Sequence, residues 1–204
     1  MAERERDLER LLTFVDAVVA IAITLLVLPL AEVARDVRTG QVADLLREHA
    51  DDLVGFTLSF AVIARLWIAQ HAIVSTLVRQ NGVVLRLLLT WTFTIVFLPF
   101  PTALVTATSN DSLARLLYLG TMTVSSVLLA LIARAIGRDR SLRDTDARPE
   151  PAYATVTTIT FLLALVISLA FPASSYWPLL LLLLTDPIVN RLWRRRSRQH
   201  SAEP

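Results

Sequence analysis

The strongest constraint on this chain is the placing of its charges. Long stretches carry almost no ionisable side chain, and arginines crowd into the short segments between them. A helical run of about 20 apolar residues crosses the roughly 30 Å hydrocarbon core of a bilayer, and several such runs fit into 204 residues. With 54% hydrophobic and 19% charged residues, too little polar side chain remains to cover a soluble domain of this size. The expectation is an all-α membrane protein, folded as a single transmembrane domain over residues 1–204.

Six membrane helices are predicted. The first runs from about Glu9 to Val33. The charged stretch Glu32 to Asp52 follows, with room for a short surface helix. The second runs from about Leu53 to Val78 and stops at Arg79-Gln80-Asn81-Gly82, where asparagine and glycine supply turn chemistry. The third covers about Val83 to Ala107. Ser109 to Ser112 makes a tight turn and caps the fourth, which continues to about Ile136. The polar linker 137–151 leads to a fifth helix, Ala152 to Phe171. A sixth contains the leucine run Leu179 to Leu184 and ends in the basic tail 194–204.

The arginines orient these spans. Arg4, Arg6 and Arg10 precede the first, Arg79 and Arg86 flank the turn after the second, and Arg138, Arg140, Arg143 and Arg148 lie in the linker. Arg191, Arg194, Arg195, Arg196 and Arg198 follow the sixth. The turns after the third and fifth are nearly uncharged, and Tyr176 and Trp177 suit an outer aromatic belt. The positive-inside rule then puts both termini in the cytoplasm, which requires an even number of spans. The segment Phe14 to Leu30 lacks a purely basic leader and a small-residue cleavage site, so it reads as a permanent helix.

Composition also removes function classes. The absence of cysteine excludes disulfides and thiolate chemistry. No Gly-rich phosphate loop or His-Glu-x-x-His motif occurs, and nothing has the spacing of a catalytic site, so no enzyme and no cofactor is predicted. Every basic residue is arginine, read as the codon bias of a GC-rich bacterial genome. The net charge of +2 does not indicate a nucleic-acid partner. The tail arginines suit anionic lipid headgroups, each contributing about 1 kcal/mol. The two halves of the chain share no repeat.

The first helix is the informative one. At about 100° per residue, Ile21, Leu25 and Leu28 fall within about 60° of one another, with Phe14 and Ala17 along the same line and Thr24 at its edge. Geometry only makes these residues cofacial; in an arbitrary membrane helix such a stripe ordinarily packs or meets lipid. Pro29 is either a helix end or a break that frees a carbonyl.

Arg10-x-x-x-Phe14-Val15-Asp16, followed by Ala-Ile-Ala-Ile-Thr-Leu-Leu-Val-Leu, resembles the first helix of the transmembrane protein 175 family of potassium channels. Trp67-Ile-Ala-Gln-His71 and Leu98-Pro99-Phe100-Pro101-Thr102 extend the resemblance. The family signature has serine where this chain has Val15, which removes one hydroxyl. The resemblance implies a homotetramer in a bacterial plasma membrane, with the first helix of each subunit lining a central pore. It implies an isoleucine constriction at Ile21 and leucine rings at Leu25 and Leu28, with Thr24 as the polar pore residue and potassium ions as permeant species. No carbonyl filter of the Thr-Val-Gly-Tyr-Gly type is present.

Asp16 lies about 140° from the stripe, and an ionisable group inside a span is costly. Depth along the antiparallel helices places it near Trp67 and His71, which share a face four residues apart. Asp16 is therefore expected to accept a hydrogen bond from His71 or the Trp67 indole, and the resemblance adds Arg10 and Phe14 to this structural network. No partner for the deep Arg65 is evident from sequence. Asp186 is expected to pair near Arg191. A proton-conducting or weakly selective cation channel, a secondary transporter and a non-conducting structural protein are the competing readings. The lack of internal symmetry weighs against the transporter.

Overall fold

The computed structural model describes residues 2–33, 42–108 and 111–142. The predicted fifth and sixth helices, Asp186, Tyr176, Trp177 and the basic tail lie outside the described residues, as does most of the linker. Among the described residues the elements are all helical: α1 (Ala2–Leu25), α2 (Leu28–Val33), α3 (Val42–Glu48), α4 (Ala50–Val74), α5 (Gly82–Phe97), α6 (Pro99–Ala107), α7 (Ser112–Arg138) and a 3₁₀ turn at Arg140–Leu142. Among the described residues four segments are long and apolar enough to cross a membrane: Arg6–Glu32, Ala50–Val74, Gly82–Ala107 and Ser112–Arg138.

The ends of these spans follow from local chemistry. The Asn81 side chain accepts from the Val83 and Val84 amides and starts α5. Asp111 does the same for Leu113 at the start of α7. Both satisfy backbone donors that a helix N-terminus leaves orphaned. After α7, the Leu142 carbonyl accepts from the Val78 and Arg79 amides, so the 3₁₀ turn ties the end of the fourth span to the turn between the second and third. The short helix α3 has no buried residue.

Two spans differ from the expected continuous helices. The first begins already at Ala2 and breaks at Leu26-Val27, whose amides bond three residues back to Ile23 and Thr24 before α2 resumes. Pro29 has no amide hydrogen, so the Leu25 carbonyl loses its donor four residues on. The third span breaks in the same way at Leu98: its amide bonds back to Ile95, whose normal donor position is Pro99. The two breaks meet. Leu26, Pro29 and Leu30 line a small cavity with Pro99, Thr102 and Ala103, closed by Phe56 and Asp52 of the second span.

The break lets the third span change partners. Its N-terminal half, α5, packs on α1 and α7, while its C-terminal half, α6, packs on α4 and α7. Trp91, Leu88 and Ile95 of α5 are fully buried, with Ile63 and Leu66 of α4 and Met122, Leu129 and Ile132 of α7. A buried polar chain crosses this core, in which Ser59 bonds Tyr118 at 2.7 Å and receives a bond from Thr102 at 3.2 Å. Arg65 is 7% exposed and is engaged with other groups, so the deep guanidinium is an interior residue and not a snorkelling one.

Candidate pore face

α1 has two faces of opposite character. Leu8, Val15, Val19, Ala22 and Leu26 recur at helical spacing and are buried, Val15 completely. They fix the rotation of α1 against α4 and α5. Around the helix from them, Phe14, Ile21, Leu25 and Leu28 are exposed, Ile21 at 58% and Leu28 at 56%. Ala17 and Thr24 are exposed on the same side, and Val27 beside the break. The apolar stripe is thus the side of the first span, α1 extended past the break by Leu28 of α2, that its own described neighbours leave uncovered.

Thr24 sits at the edge of this face. Its hydroxyl donates to the Ile21 carbonyl at 2.7 Å, which commits the proton and leaves the oxygen lone pairs as acceptors. One residue further, α1 ends at Leu25, where the negative pole of its backbone dipole lies.

Asp16 is placed between the two faces, half-buried, and its Oδ1 accepts from the Trp67 indole Nε1 at 2.8 Å. His71 does not take this bond. Its exposed ring lies against the Trp67 indole, with centroids 5.8 Å apart. Arg10 is exposed and forms no ion pair with Asp16 among the described residues, and Phe14 lies on the uncovered face. The structure therefore joins Asp16, Trp67 and His71, while the Arg10 and Phe14 side chains are exposed. Val15 points into the core, where its isopropyl group packs without a polar partner to satisfy.

Sequence reasoning missed the contact between the two breaks. The signal was present as Pro29 and as the pair Pro99 and Pro101, but not the fact that they face one another. No group of three His, Asp or Glu side chains able to hold a metal occurs among the described residues.

Residues 10–99 match the sequence profile of the family described as endosomal/lysosomal potassium channel TMEM175. The match falls within the first three spans. The matched TMEM175 segment contains every residue of the stripe, the Asp16–Trp67 pair and the third-span break. The fold agrees. The chain is similar to a crystal structure titled as a lysosomal potassium-selective channel TMEM175 homolog from Chamaesiphon minutus, with a TM-score of 0.71 and 23% sequence identity. The match covers 90% of this chain and 97% of that one. No curated protein matches the chain.

Proposed function

We propose that this protein is one subunit of a potassium-permeable channel, assembled as a homotetramer around α1 in a bacterial plasma membrane, with no cofactor and no enzymatic activity. The observation that carries the proposal is the uncovered stripe of Phe14, Ile21, Leu25 and Leu28 on a membrane-spanning helix whose opposite face is buried. One helix cannot enclose an ion path, so the stripe becomes a pore only when copies of α1 surround an axis. The TMEM175 match of the same segment, and the potassium selectivity stated for the structurally similar channel, support potassium as the permeant ion.

In this reading Ile21 forms the neck. A ring of branched apolar side chains holds water poorly, so a small change in radius opens or closes it by wetting. Thr24 oxygens and the carbonyl end of α1 at Leu25 stabilise a partly dehydrated cation beside the neck. The Asp16–Trp67 bond holds α1 against α4, so that the stripe keeps its angle to the axis. The basic cytoplasmic segments hold anionic lipid headgroups and serve as anchors.

The test is current across planar bilayers containing the purified protein under a potassium/sodium gradient. The wild type is expected to reverse near the potassium potential. Ile21→Asn, which wets the neck, is expected to raise conductance and reduce selectivity; each 1.4 kcal/mol or so removed from the barrier is about tenfold in rate. Unchanged current in Ile21→Asn removes the neck from Ile21. An absence of both current and Ile21→Cys crosslinks between subunits in folded protein overturns the channel.

A further inference from the structure

Behind the buried row of α1, polar side chains of three helices converge without bonding one another. Gln70 Oε1 on α4, Trp91 Nε1 on α5 and Ser125 Oγ on α7 have no hydrogen-bond partner among the described residues. Gln70 is 1% exposed and the other two are completely buried. Thr121 and Thr123 of α7 turn their hydroxyls back to the Leu117 and Leu119 carbonyls at 2.7 Å, but the Ser125 hydroxyl makes no such bond. A buried donor or acceptor without a partner forfeits its whole hydration, so such groups are rarely left alone in a native core.

Helical geometry brings these atoms to one layer. Gln70 follows Ser59 by eleven residues of α4, and Ser125 follows Tyr118 by seven of α7; each is about 20° of rotation. Ser59 and Tyr118 bond across the α4–α7 seam at 2.7 Å, so Gln70 and Ser125 face one another across the same seam. The two helices run the same way, and beyond their C-terminal ends Leu142 accepts from Val78 and Arg79. From the Ser59–Tyr118 bond the advance is about 17 Å to Gln70 and about 11 Å to Ser125. The lean of the long Tyr118 and Gln70 side chains towards their helix N-termini makes up most of the difference. Trp91 comes from the other side. On α5, which runs against α7, Thr94 lies beside Gly120 and Thr121. Trp91 is about 5 Å back from Thr94, and Ser125 about 6–8 Å on from that pair in the same direction. α1 packs on α4 and α5, and α7 packs on both, so four described helices surround the layer.

The chemistry of the three atoms selects the ligand. Trp91 Nε1 only donates, Gln70 Oε1 only accepts, and Ser125 Oγ does either. A cation would face the indole N–H and an anion the amide oxygen, whereas a neutral molecule with both roles pairs with all three. Size selects the smallest one. Ser125 stands in a seam otherwise built from Tyr118, Met122, Leu129 and Ile132, where one small side chain among large ones leaves that layer short of volume. We propose that one water molecule is held between α4, α5 and α7, accepting from Trp91 and donating to Gln70, with Ser125 as its third partner. Internal waters make about three such bonds. The site joins α4 and α5, against which α1 is seated, to α7, so the scaffold that sets the rotation of α1 includes a solvent molecule.

The test is X-ray hydroxyl-radical footprinting of full-length protein in nanodiscs, because radiolysis of a bound water oxidises the side chains beside it. Met122, completely buried and one turn before Ser125 in the seam, is the reporter. Its oxidation in the wild type is expected at least threefold above that in Ser125→Val, which fills the space. The same fall is expected in Gln70→Leu, which removes the acceptor and serves if the valine variant fails to fold. A density map that resolves waters is expected to show one peak within about 3.2 Å of Trp91 Nε1, Gln70 Oε1 and Ser125 Oγ. Met122 oxidation equal in the wild type and the folded variants overturns the proposal. So does a map in which Gln70 and Ser125 bond each other directly, or in which another side chain of this protein bonds all three atoms.

Discussion

Removing the indole donor of Trp67 tests whether α1 is held at a defined angle by one hydrogen bond. The 2.8 Å separation between Nε1 and Asp16 Oδ1 lies in the range of charge-assisted bonds. Such bonds contribute about 1.5–3 kcal/mol net, and the lower part of that range applies because Asp16 is half-buried and water replaces part of what is lost. Trp67→Phe also removes packing area, since Trp67 lies against the core. Its total cost is therefore expected near 2–3 kcal/mol. A double-mutant cycle separates the two effects: Trp67→Phe, Asp16→Ala and the pair, each measured by equilibrium unfolding in mixed micelles with graded SDS. The coupling energy is expected at about 1.5–2 kcal/mol. His71→Ala, which removes only a ring contact, is expected to cost less than about 1 kcal/mol. Single effects that add to within about 0.5 kcal/mol would refute the reasoning, because independent sites behave that way.

Asn81→Ala removes the acceptor for two amides and is expected to cost about 1 kcal/mol in the same unfolding assay, against a few tenths for Asn81→Gly. Ser59→Ala takes the shared partner from buried Tyr118 and Thr102 and is expected to cost about 1–2 kcal/mol. Thr57→Ala, an exposed hydroxyl bonded within its own helix, should change stability by less than about 0.5 kcal/mol. The Asp139 carboxyl is held below its ordinary value of 3.8 by the Ser141 hydroxyl and then by the Ser141 amide. Because the folded value is depressed, the contribution of this cap is full above the ordinary carboxylate value and is lost as pH falls through the folded one. Carboxyl NMR should show Asp139 titrating below a model aspartate, and Ser141→Ala should raise it.

The sequence states where the spans lie because bilayer thickness and helix rise leave little freedom. The starts at Gly82 and Ser112 were legible for the same kind of reason: Asn81 and Asp111 are residues that cap. The two faces of α1 were legible from periodicity, since the row of Val15, Val19, Ala22 and Leu26 is centred more than about 100° round the helix from the stripe of Phe14, Ile21 and Leu25. The breaks were not. A proline in an apolar run reads equally as an end or as an interruption, and only the packing of Pro29 and Pro99 into one cavity decides it. The choice of Trp67 over His71 as donor was likewise out of reach, because both occupy one face and side-chain direction settles the matter. The start of α1 at Ala2 was missed because charged residues end a membrane segment without ending a helix; Glu and Arg are good helix formers in water.

Three constraints fix the uncovered face of α1, and none of them touches it. The buried row from Leu8 to Leu26 sets rotation, because turning the helix by one residue would bring Asp16 into the core and Val15 out of it. The Asp16–Trp67 bond sets the axial register against α4. The break at Leu26-Val27, seated against the third-span break, sets where the helix turns aside at its C-terminal end. Ile21, Thr24 and Leu25 are thereby relieved of any part in holding the fold. Their substitution is expected to leave subunit stability within about 0.5 kcal/mol of wild type. In the channel we propose, a change in conduction at these positions reports on the pore face itself, while a change produced at Trp67 reports on the angle at which that face is presented.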